Sequence, residues 1–419
     1  MRSIEEHRSR ILESAVAPRP IRVAISEAHG LMCAEDVSAT SALPGFDQAA
    51  VDGYAVRSVD LVPPSDDDEA AGDTAAPAAV TLPVVGDVAA GTRRPTRLRP
   101  QQCVRISTGA ALPTLADAVL PLDHAVGGPD RIEIKTGVRS GDFVRRIGAD
   151  VQPGDVAVRA GTIIGAAQVG LLAAVGYDKV MVHPRPRVSV LSVGAELVDI
   201  DRSPGHAQIF DVNSYALAAA AGEAGAEVSR IGIVPDDPQG VREVVDGCLA
   251  RSEVVIISCA VGGASVDRLR EAMRDLGDLD VERIAMHPGS VQGFGALGPD
   301  RVPTFLLPAN PVSALVIFEL MIRPLIRTAL GRRQVLRRVI TARSVEEISS
   351  PAGRWSFVRG SLMRTEDGRG YLVEPVRVVG TSPYPMVALA GANCLAMIEP
   401  AATRVFPGDE VKVLFLAQR

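Results

Sequence analysis

Residues 187–193 read Arg-Val-Ser-Val-Leu-Ser-Val and stop at Gly194, and this apolar run decides the fold of the central part of the chain. Its β-branched residues predict a buried strand, and Gly194 predicts the turn that ends it. Similar strands are predicted at 227–234, 254–258 and 304–307, and helices at 213–222, 237–249, 266–276 and from 312 onward. Strands that alternate with helices at this spacing predict a doubly wound, mostly parallel sheet with helices on both faces.

Four loops are expected at the carboxyl ends of these strands, namely 192–196, 258–267, 287–291 and 308–313. Ligands of open parallel sheets bind in the crevice outside those ends, so the four loops are expected to converge on one site. Glycine-rich backbone before a helix presents N–H groups to phosphates and other oxyanions, although the same residues also form ordinary turns. Glu196 fits a cation, a bound hydroxyl or a helix cap.

Helices are also predicted outside this region. Residues 3–15 place apolar side chains on one face, with Ser3 and Glu6 in a capping box. Further helices are expected near 26–34 and at 166–175, and Asn213 with Ser214 fits the N-cap of the helix that follows them.

Short β segments punctuated by Pro and Gly predict a β-rich module at 44–140. Within it, 63–79 reads PPSDDDEAAGDTAAPAA, and its acidic, weakly hydrophobic composition predicts a mobile, solvated loop without core contacts. After residue 331 the β patterning returns, which predicts a small closed β domain at the end of the chain.

Composition and charge limit the possible functions. The chain has 419 residues, of which 47% are hydrophobic, 22% charged and 4% aromatic, as is typical of globular domains. It contains 44 Lys and Arg against 50 Asp and Glu, which gives a net charge of −6. Nucleic-acid binding needs basic patches and stacking rings, so a nucleic-acid partner is not expected.

The cysteines and histidines point to a reduced, metal-poor protein. The five cysteines lie far apart, and the six histidines form no zinc motif. We therefore expect buried thiols in the reducing cytoplasm. No apolar core of a signal peptide follows Met1, and no run of about 18 uncharged apolar residues predicts a membrane span.

Segment 44–57, PGFDQAAVDGYAVR, closely resembles the PxFDxSAMDGYAV signature of the molybdopterin molybdenumtransferase family, which includes MoeA and the E domain of gephyrin. Further family motifs follow in order: RISTGAALPTLADAV (105–119), GADVQPGDVAVRAGTII (148–164), RPRVSVLSVGAEL (185–197), QIFDVNS (208–214), LPANPVSALVIFE (307–319) and WSFVRG (355–360). The resemblance covers essentially the whole chain, which looks like a divergent, gephyrin-like member of actinobacterial type.

This resemblance implies an elongated homodimer of four-domain subunits, with a β-barrel as the last domain. It implies a reaction that inserts molybdate into adenylylated molybdopterin and releases AMP with the help of Mg²⁺. The site is implied to lie between the central domain of one subunit and the second domain of its partner. The domains expected here are 1–43 with 141–180 (domain I), 44–140 (domain II), 181–331 (domain III) and 332–419 (domain IV).

Carried over onto this sequence, the family pattern makes Asp52, Glu196 and Asp267 the catalytic and Mg²⁺-binding carboxylates. Carboxylates suit the cation, and backbone N–H groups suit the phosphates. The positions implied to bind the molybdopterin-type ligand are Thr108, Gly109, Ser192, Gly194, Gly262, Gly263, Ser265, Pro288, Gly289, Pro308, Asn310, Pro311 and Ser313.

Several positions depart from the family pattern. The family's TGDE becomes VGAE at 193–196, which removes a carboxylate at Ala195, and its KPGKP becomes HPGSV at 287–291, which removes both lysines. The family's SGGVSxGDYD loop corresponds to 258–267, where one alignment places Ser265, and another Asp267, at the first aspartate. Two lost charge-assisted hydrogen bonds predict anion binding that is weaker by about 3–6 kcal/mol, or about 10²–10⁴-fold.

Two functions fit this pattern. The first is a molybdenumtransferase with weakened activity. The second is a gephyrin-like dimeric scaffold that holds a short peptide between its last domain, around Pro383 and Tyr384, and the dimer partner. The peptide would come from a cytoskeletal or membrane-receptor protein such as the cell-division protein FtsZ. An unrelated sugar-phosphate or nucleotide enzyme on the same layers is a third alternative, because fold does not fix function.

Overall fold

The structure is a computed structural model that describes residues 1–61, 80–93, 97–235, 237–261, 264–376 and 386–416. The chain forms two compact units. Unit 1 comprises Met1–Ile21 and Val182–Arg419, and unit 2 comprises Arg22–Met181. The acidic segment 63–79 lies outside the described residues. No helix of the described ranges combines the length and the apolar character that crossing a membrane requires.

The helices of the described ranges are α1 (Ile4–Glu13), α2 (Ala166–Ala174), α3 (Asn213–Ala224), α4 (Pro238–Leu249), α5 (Ala264–Ala272), α6 (Pro311–Ile317), α7 (Arg323–Ala329) and α8 (Met386–Ala390). The predicted capping box of α1 is present: Glu6 N donates to Ser3 Oγ, and Ser3 N donates to Glu6 Oε2, each at 3.1 Å. A π-helical turn, Phe318–Ile322, joins α6 to α7. The predicted long helix from residue 312 is therefore present with a π turn in its middle.

Unit 2 is built mainly from short strands. They are β1 (Ile21–Ala24), β2 (Met32–Cys33), β3 (Val37–Ser38), β4 (Gln48–Ala49), β5 (Gly53–Val56), β6 (Thr81–Val88), β7 (Cys103–Ile106), β8 (Ala118–Pro121), β9 (Ala125–Gly127), β10 (Arg131–Ile134), β11 (Val144–Arg145), β12 (Val156–Val158) and β13 (Lys179–His183). The largest sheet has the order β8-β5-β7-β6-β10-β9. The prediction of a β-rich module is confirmed.

The middle of unit 1 is the predicted α/β layer. Its strands are β14 (Arg187–Val193), β15 (Leu197–Val198), β16 (Ile209–Phe210), β17 (Glu227–Val234), β18 (Val254–Cys259), β19 (Leu279–Arg283), β20 (Met286–His287), β21 (Val291–Leu297) and β22 (Val302–Pro308). The sheet has the order β17-β14-β18-β22-β21-β19, in which the first four strands are parallel and the last two pair antiparallel. The mostly parallel sheet is confirmed.

The end of unit 1 is a small barrel. Its strands are β23 (Val339–Ser344), β24 (Ile348–Ser349), β25 (Trp355–Arg364), β26 (Tyr371–Pro375), β27 (Cys394–Ile398), β28 (Arg404–Val405) and β29 (Glu410–Phe415). Five strands pair in the order β25-β26-β23-β29-β27, and β27 pairs back with β25, so the sheet closes. Strand β20 adds to the barrel through parallel pairing with β25. The predicted C-terminal β-barrel is confirmed.

Apolar clusters cover both faces of the central sheet, as a doubly wound fold requires. One cluster joins β14, β18 and β22 to α1, α3, α6 and α7, and includes the fully buried Phe305 and Phe318. The other packs α4 and α5 on the opposite face, through residues such as Val245 and Leu269. Buried side chains of this size contribute about 1.5–3 kcal/mol each to folding, so the sheet is a rigid base for the loops at its carboxyl end.

The helix predicted near 26–34 is wrong. This segment consists of turns and β2, and its backbone groups bond to residues far along the chain: Gly30 N donates to Ile164 O at 2.8 Å, and Ala34 N donates to Met181 O at 2.9 Å. Non-local pairing therefore overrides the weak local preference for helix. The four domain boundaries expected above stay a prediction.

His7 makes the stability of unit 1 depend on pH. Its side chain is 1% exposed on α1, and its ring lies edge-on against Phe294. Burial, assisted by the charges of Arg2 and Arg10, lowers the pKa of His7 to about 4. The unfolded chain takes up this proton near pH 6.5, so stability is retained above pH 6.5 and falls as the pH drops towards 4.

We expect the free energy of unfolding to lose up to about 3 kcal/mol between pH 6.5 and 4 because of this histidine. Denaturant titrations across that range would measure the loss, and His7→Leu should remove it. His206 is exposed, so His206→Leu serves as the control and should keep the full dependence. An unchanged pH dependence in His7→Leu would contradict the assignment.

Candidate functional site

A buried carboxylate holds the carboxyl end of β14. Asp211 is 2% exposed. Its Oδ1 accepts hydrogen bonds from Ser192 Oγ at 2.8 Å and from Ser214 N at 3.0 Å, and its Oδ2 accepts one from Ser214 Oγ. Asp211 therefore caps the first turn of α3, a role that the sequence had suggested for Asn213 and Ser214. The strand end at Ser192 is thereby fixed to the helix.

Asn213 joins two of the predicted loops. Its Nδ2 donates to Ser258 Oγ at 2.6 Å and to Ala309 O at 2.8 Å. Its side chain is buried, and its Oδ1 has no hydrogen-bond partner among the described residues. An unsatisfied buried acceptor is costly, so this oxygen is suited to a donor supplied by a ligand.

The loop after β22 turns directly into α6. Asn310 caps the helix by accepting a hydrogen bond from Ser313 N at 3.0 Å, with Pro311 in the first turn. Pro308 ends β22, and Ala309 is not among the residues with positive φ. Alanine at this position therefore carries no left-handed backbone strain.

Gly289 brings the fourth loop to the same place. Its φ is +86°, and a Cβ atom there would lie 2.8 Å from Ile317 Cγ1 and 3.3 Å from Ser313 O of α6. Gln292 Nε2 also donates to Gly289 O at 3.1 Å. The loop after Pro288 thus packs against α6 so closely that only glycine fits, and the described parts of the four predicted loops lie at the carboxyl edge of the sheet.

Glu196 projects from this edge. Its side chain is exposed and lies over Gly194, where a Cβ atom would be 2.6 Å from Glu196 Oε2. The backbone of Glu196 is fixed because its carbonyl accepts a hydrogen bond from Ile209 N at 2.8 Å. The carboxylate is therefore free to meet a ligand, while its position along the loop is set by the pairing of β15 with β16.

Asp267 is a solvent-exposed carboxylate on α5. It lies in the first turn of α5, its side chain is 74% exposed, and Arg270 is 3.9 Å from it. Among the described hydrogen bonds and ion pairs, none joins Asp267 to Glu196, Ser192 or Asn213. Gly262 and Gly263 and the side chain of Ser265 lie outside the part of the chain that the structure describes, so the competing loop alignments stay open.

The charges of two arginines act on the loop that lacks the family's lysines. Burial and the positive charges of Arg354 and Arg359 lower the pKa of His287, so this side chain is neutral at pH 7. Met286 and His287 pair with Trp355 and Ser356 of β25, so Arg354 directly precedes the paired segment and Arg359 follows it on the same strand. Sequence reasoning missed both, because no local signal links residue 287 to residue 354.

In unit 2, Asp52 forms a compact pair with Thr108. Thr108 N and Thr108 Oγ1 donate to Asp52 Oδ1 at 2.7 and 2.8 Å. These two bonds, with the nearby charge of Arg105, lower the pKa of Asp52. The carboxylate is exposed and ionised at neutral pH. Its Oδ2 accepts no hydrogen bond from the described residues, so it faces solvent.

The signature segment 44–57 is hydrogen-bonded to two other segments, 109–110 and 146–147, and these contacts explain part of its unusual sequence. Ala49 exchanges backbone hydrogen bonds with Gly109 and Ala110 at 2.8 and 3.0 Å, and Gly109 has a φ of +78°. Asp47 accepts from Ile147 N at 2.8 Å and from Arg146 Nη1 at 2.7 Å. Beside it, Arg145 at the end of β11 pairs with Asp150 at 2.6 Å, a charged pair that sequence reasoning also missed.

The candidate carboxylates suit Mg²⁺ only if a bound substrate supplies further ligands to the ion. In the described residues, no three His, Cys, Asp or Glu side chains lie close enough to hold a metal ion together. Mg²⁺ commonly binds through one or two carboxylates together with water and substrate phosphates. Exposed Asp52 in unit 2 and exposed Glu196 in unit 1 each have that character, so each fits a cation that arrives with its substrate.

Comparisons with known proteins agree with this architecture. Residues 2–176 match the model of the MoeA N-terminal region (domain I and II), 189–328 match a probable molybdopterin binding domain, and 341–416 match the MoeA C-terminal region (domain IV). A solved structure titled as the molybdopterin biosynthesis MoeA protein from Pyrococcus horikosii matches with a TM-score of 0.80 and 29% identity, covering 100% of this chain and 99% of that one.

Curated relatives give the same result. Molybdopterin molybdenumtransferase 1 of Mycobacterium tuberculosis is 57% identical over 424 aligned residues, which cover 100% of both chains. Molybdopterin molybdenumtransferase 2 of the same organism is 36% identical over 99% of both chains. The fold, the ordered motifs and these full-length matches together show that the chain belongs to the molybdopterin molybdenumtransferase (MoeA) family.

Proposed function

We propose that this chain is a molybdenumtransferase of molybdenum cofactor biosynthesis, which inserts molybdate into adenylylated molybdopterin and releases AMP. The observation that carries the proposal is the junction at Asn213, where the start of α3 meets two strand-end loops around a buried acceptor that has no described partner. Full-length similarity to proteins named molybdopterin molybdenumtransferase supports the same reaction.

Each part of the site has a chemical role in this proposal. Asn213 Oδ1 accepts an N–H or O–H of the ligand and so orients it. The turn at Asn310 and the loop at Gly289 present backbone N–H groups to the anionic groups of the ligand. Glu196, and Asp52 of a partner copy, are the carboxylates that hold Mg²⁺, which neutralises phosphate charge when it is bound.

The altered loops are expected to weaken ligand binding. His287 is neutral at pH 7 because burial and two arginines lower its pKa, and Ser290 carries no charge. Arg354 and Arg359 supply positive charge to the same loop from the barrel. They offset part of the loss of about 3–6 kcal/mol that two missing charge-assisted bonds predict.

Restoring a cation at residue 290 should strengthen binding. Ser290 is half-buried, and its carbonyl accepts a hydrogen bond from Ile284 N at 2.7 Å, a backbone contact that substitution preserves. We expect Ser290→Lys to lower the Kd for molybdopterin about tenfold, the effect of one charge-assisted contact. Ser290→Gln has similar reach without charge, so an equal gain in that variant would rule out an electrostatic cause.

We also propose that the chain acts as a homodimer. A groove of about 340 Å³ in unit 1 is lined mainly by apolar residues of α3, α6 and α8, including Ala219, Ala220 and Leu389, with three charged residues beside them: Glu223, Glu319 and Arg337. Apolar surface next to the site residues points the same way, since Ile209 and Phe210 in unit 1 are 58% and 44% exposed. Solvent-exposed apolar patches mark interaction surfaces.

Light scattering should give twice the mass of one chain. The substitution Ala220→Arg places a charge in the apolar groove and is expected to shift the population to monomers. The exposed Ala401 lies outside the groove, so Ala401→Arg should leave the mass unchanged. A wild-type protein that stays monomeric at micromolar concentration would contradict the proposal.

The scaffold alternative remains a prediction. Its peptide groove was expected around Pro383 and Tyr384, which lie outside the described residues, so no structural observation favours it. Partner peptides, FtsZ-derived ones included, and a role in cell division therefore rest on the resemblance to gephyrin alone.

A calorimetric titration with molybdopterin and with its adenylylated form tests the proposed function directly. We expect a Kd near the micromolar range, and about tenfold weaker binding for Asn213→Ala, which removes the free acceptor and the link between the loops. Asn393 also bridges two backbone groups, those of Leu362, but it does so within the barrel. Asn393→Ala is therefore the matched control, and equal losses in both variants would count against the site.

A further inference from the structure

Arg230 on β17 connects two segments of the candidate site through one guanidinium group. Its Nη1 donates to Ser214 Oγ at 3.0 Å and lies 4.0 Å from Asp211 Oδ2. Its Nη2 donates to Asp199 Oδ2 at 3.2 Å. The guanidinium also stacks over the ring of Tyr215, 3.9 Å from its centre. A planar group with several donors is suited to such a junction, whereas a lysine ammonium is not.

A β-bulge aims this side chain. Val190 of β14 pairs with Arg230, but Leu191 pairs with Gly232, so Ile231 is an extra residue on β17. Gly232 has a φ of +85°, and a Cβ atom there would lie 3.3 Å from Arg230 Nη1. Bulges of this kind redirect side chains near functional sites. The bulge in the edge strand therefore directs the Arg230 side chain towards Asp199 and Ser214.

On one side, Arg230 compensates a buried charge. Asp211 is 2% exposed and is hydrogen-bonded to Ser192 and Ser214. A buried carboxylate without a compensating charge is costly, and Arg230 brings a positive charge to within 4.0 Å of it. Asn213 is two residues further along the same turn, so the position of its free Oδ1 depends on this arrangement.

On the other side, Arg230 holds the loop that carries Glu196. Asp199 lies three residues after Glu196, and it accepts hydrogen bonds from Arg230 Nη2 and from Tyr215 Oη, the latter at 2.5 Å. These two donors, together with Ile200 N, lower the pKa of Asp199. The end of β15 is thus tied to the first turn of α3.

We propose that Arg230 is a positioning residue that sets the places of Glu196 and Asn213 relative to each other. It touches neither of them and acts through Asp199 on one side and through Ser214 and Asp211 on the other. Its effect on ligand affinity rests on the proposed function, whereas its effect on the two segments does not.

The test compares Arg230→Gln and Arg230→Lys with Arg242→Gln. Arg242 of α4 is a matched control, because its side chain is 31% exposed against 30% for Arg230, and it also pairs with an aspartate, Asp275. We expect Arg230→Gln to weaken molybdopterin binding about tenfold and Arg230→Lys to recover part of the loss. Arg242→Gln should bind within twofold of the wild type.

Two further readouts separate positioning from general stability. Arg230→Gln should cost at most about threefold in an Asn213→Ala background, because one of the two groups that Arg230 positions is then gone. Hydrogen exchange at 194–199 and 211–217 should speed up at least fivefold in Arg230→Gln and stay unchanged in Arg242→Gln.

Unchanged exchange in both segments would overturn the proposal, as would a wild-type affinity in Arg230→Gln. A full tenfold loss that persists in the Asn213→Ala background would also overturn it. If the wild-type protein does not bind molybdopterin, the proposed function fails, and the exchange measurement still decides the positioning role.

Discussion

The substitution Gly53→Ala is expected to lower the free energy of unfolding of unit 2 by about 3 kcal/mol or more. Gly53 lies in β5, between β7 and β8. A Cβ atom there would lie 2.2 Å from Leu120 O and 2.9 Å from Leu120 C. Both are backbone atoms of a paired strand, so the sheet itself must move. Denaturant unfolding of the full chain measures this effect, and loss of soluble protein would be its extreme form.

Gly86 provides the control, because it lies in β6 of the same sheet and a Cβ atom there meets nothing within 4 Å. We expect Gly86→Ala to change stability by less than about 1 kcal/mol, with stabilisation as the favoured direction. Equal effects of the two substitutions would show that the close approach at Gly53 does not explain the signature glycine.

The substitution Asp52→Asn is expected to slow AMP release on the order of a hundredfold. The amide oxygen can still accept both hydrogen bonds from Thr108, which are 2.7 and 2.8 Å long in the wild type. The change therefore removes the negative charge and leaves the local fold in place. Because that charge is proposed to act on Mg²⁺, the variant should also need more Mg²⁺ for half-maximal activity.

Asp367 is a close counterpart of Asp52 in the barrel. It is exposed and accepts hydrogen bonds from Thr365 Oγ1 at 2.6 Å and from Arg369 N at 3.1 Å. Asp367→Asn therefore makes the same chemical change away from the site, and it should leave AMP release within twofold of the wild type. A hundredfold loss in both variants would show that such a charge matters for folding and not for the reaction.

The sequence predicted those parts of the fold that depend on local pattern. Apolar runs such as 254–258 became buried strands because burial on both faces of a parallel sheet needs continuous apolar residues. The helix expected near 26–34 was wrong because the backbone there bonds to residues 164 and 181. No pattern within nine residues contains that information.

In the candidate site, too, some features could be predicted from the sequence and others depend on distant residues. The convergence of the strand-end loops was predicted from the rule for parallel sheets. In the structure, the contacts of Asn213 and Gly289 hold these loops together. The positive charges that act on His287 could not be predicted, because Arg354 and Arg359 belong to a segment that comes near residue 287 only through the pairing of β20 with the barrel. Arg230 was missed for a similar reason, since a bulge directs it.

The most direct test of the account supplies the purified protein with adenylylated molybdopterin and Mg²⁺ and follows AMP release with and without molybdate. The account predicts release that depends on molybdate, slows in Asp52→Asn and rises at subsaturating substrate in Ser290→Lys. Release no faster than that of a denatured sample, with molybdate present, would contradict it.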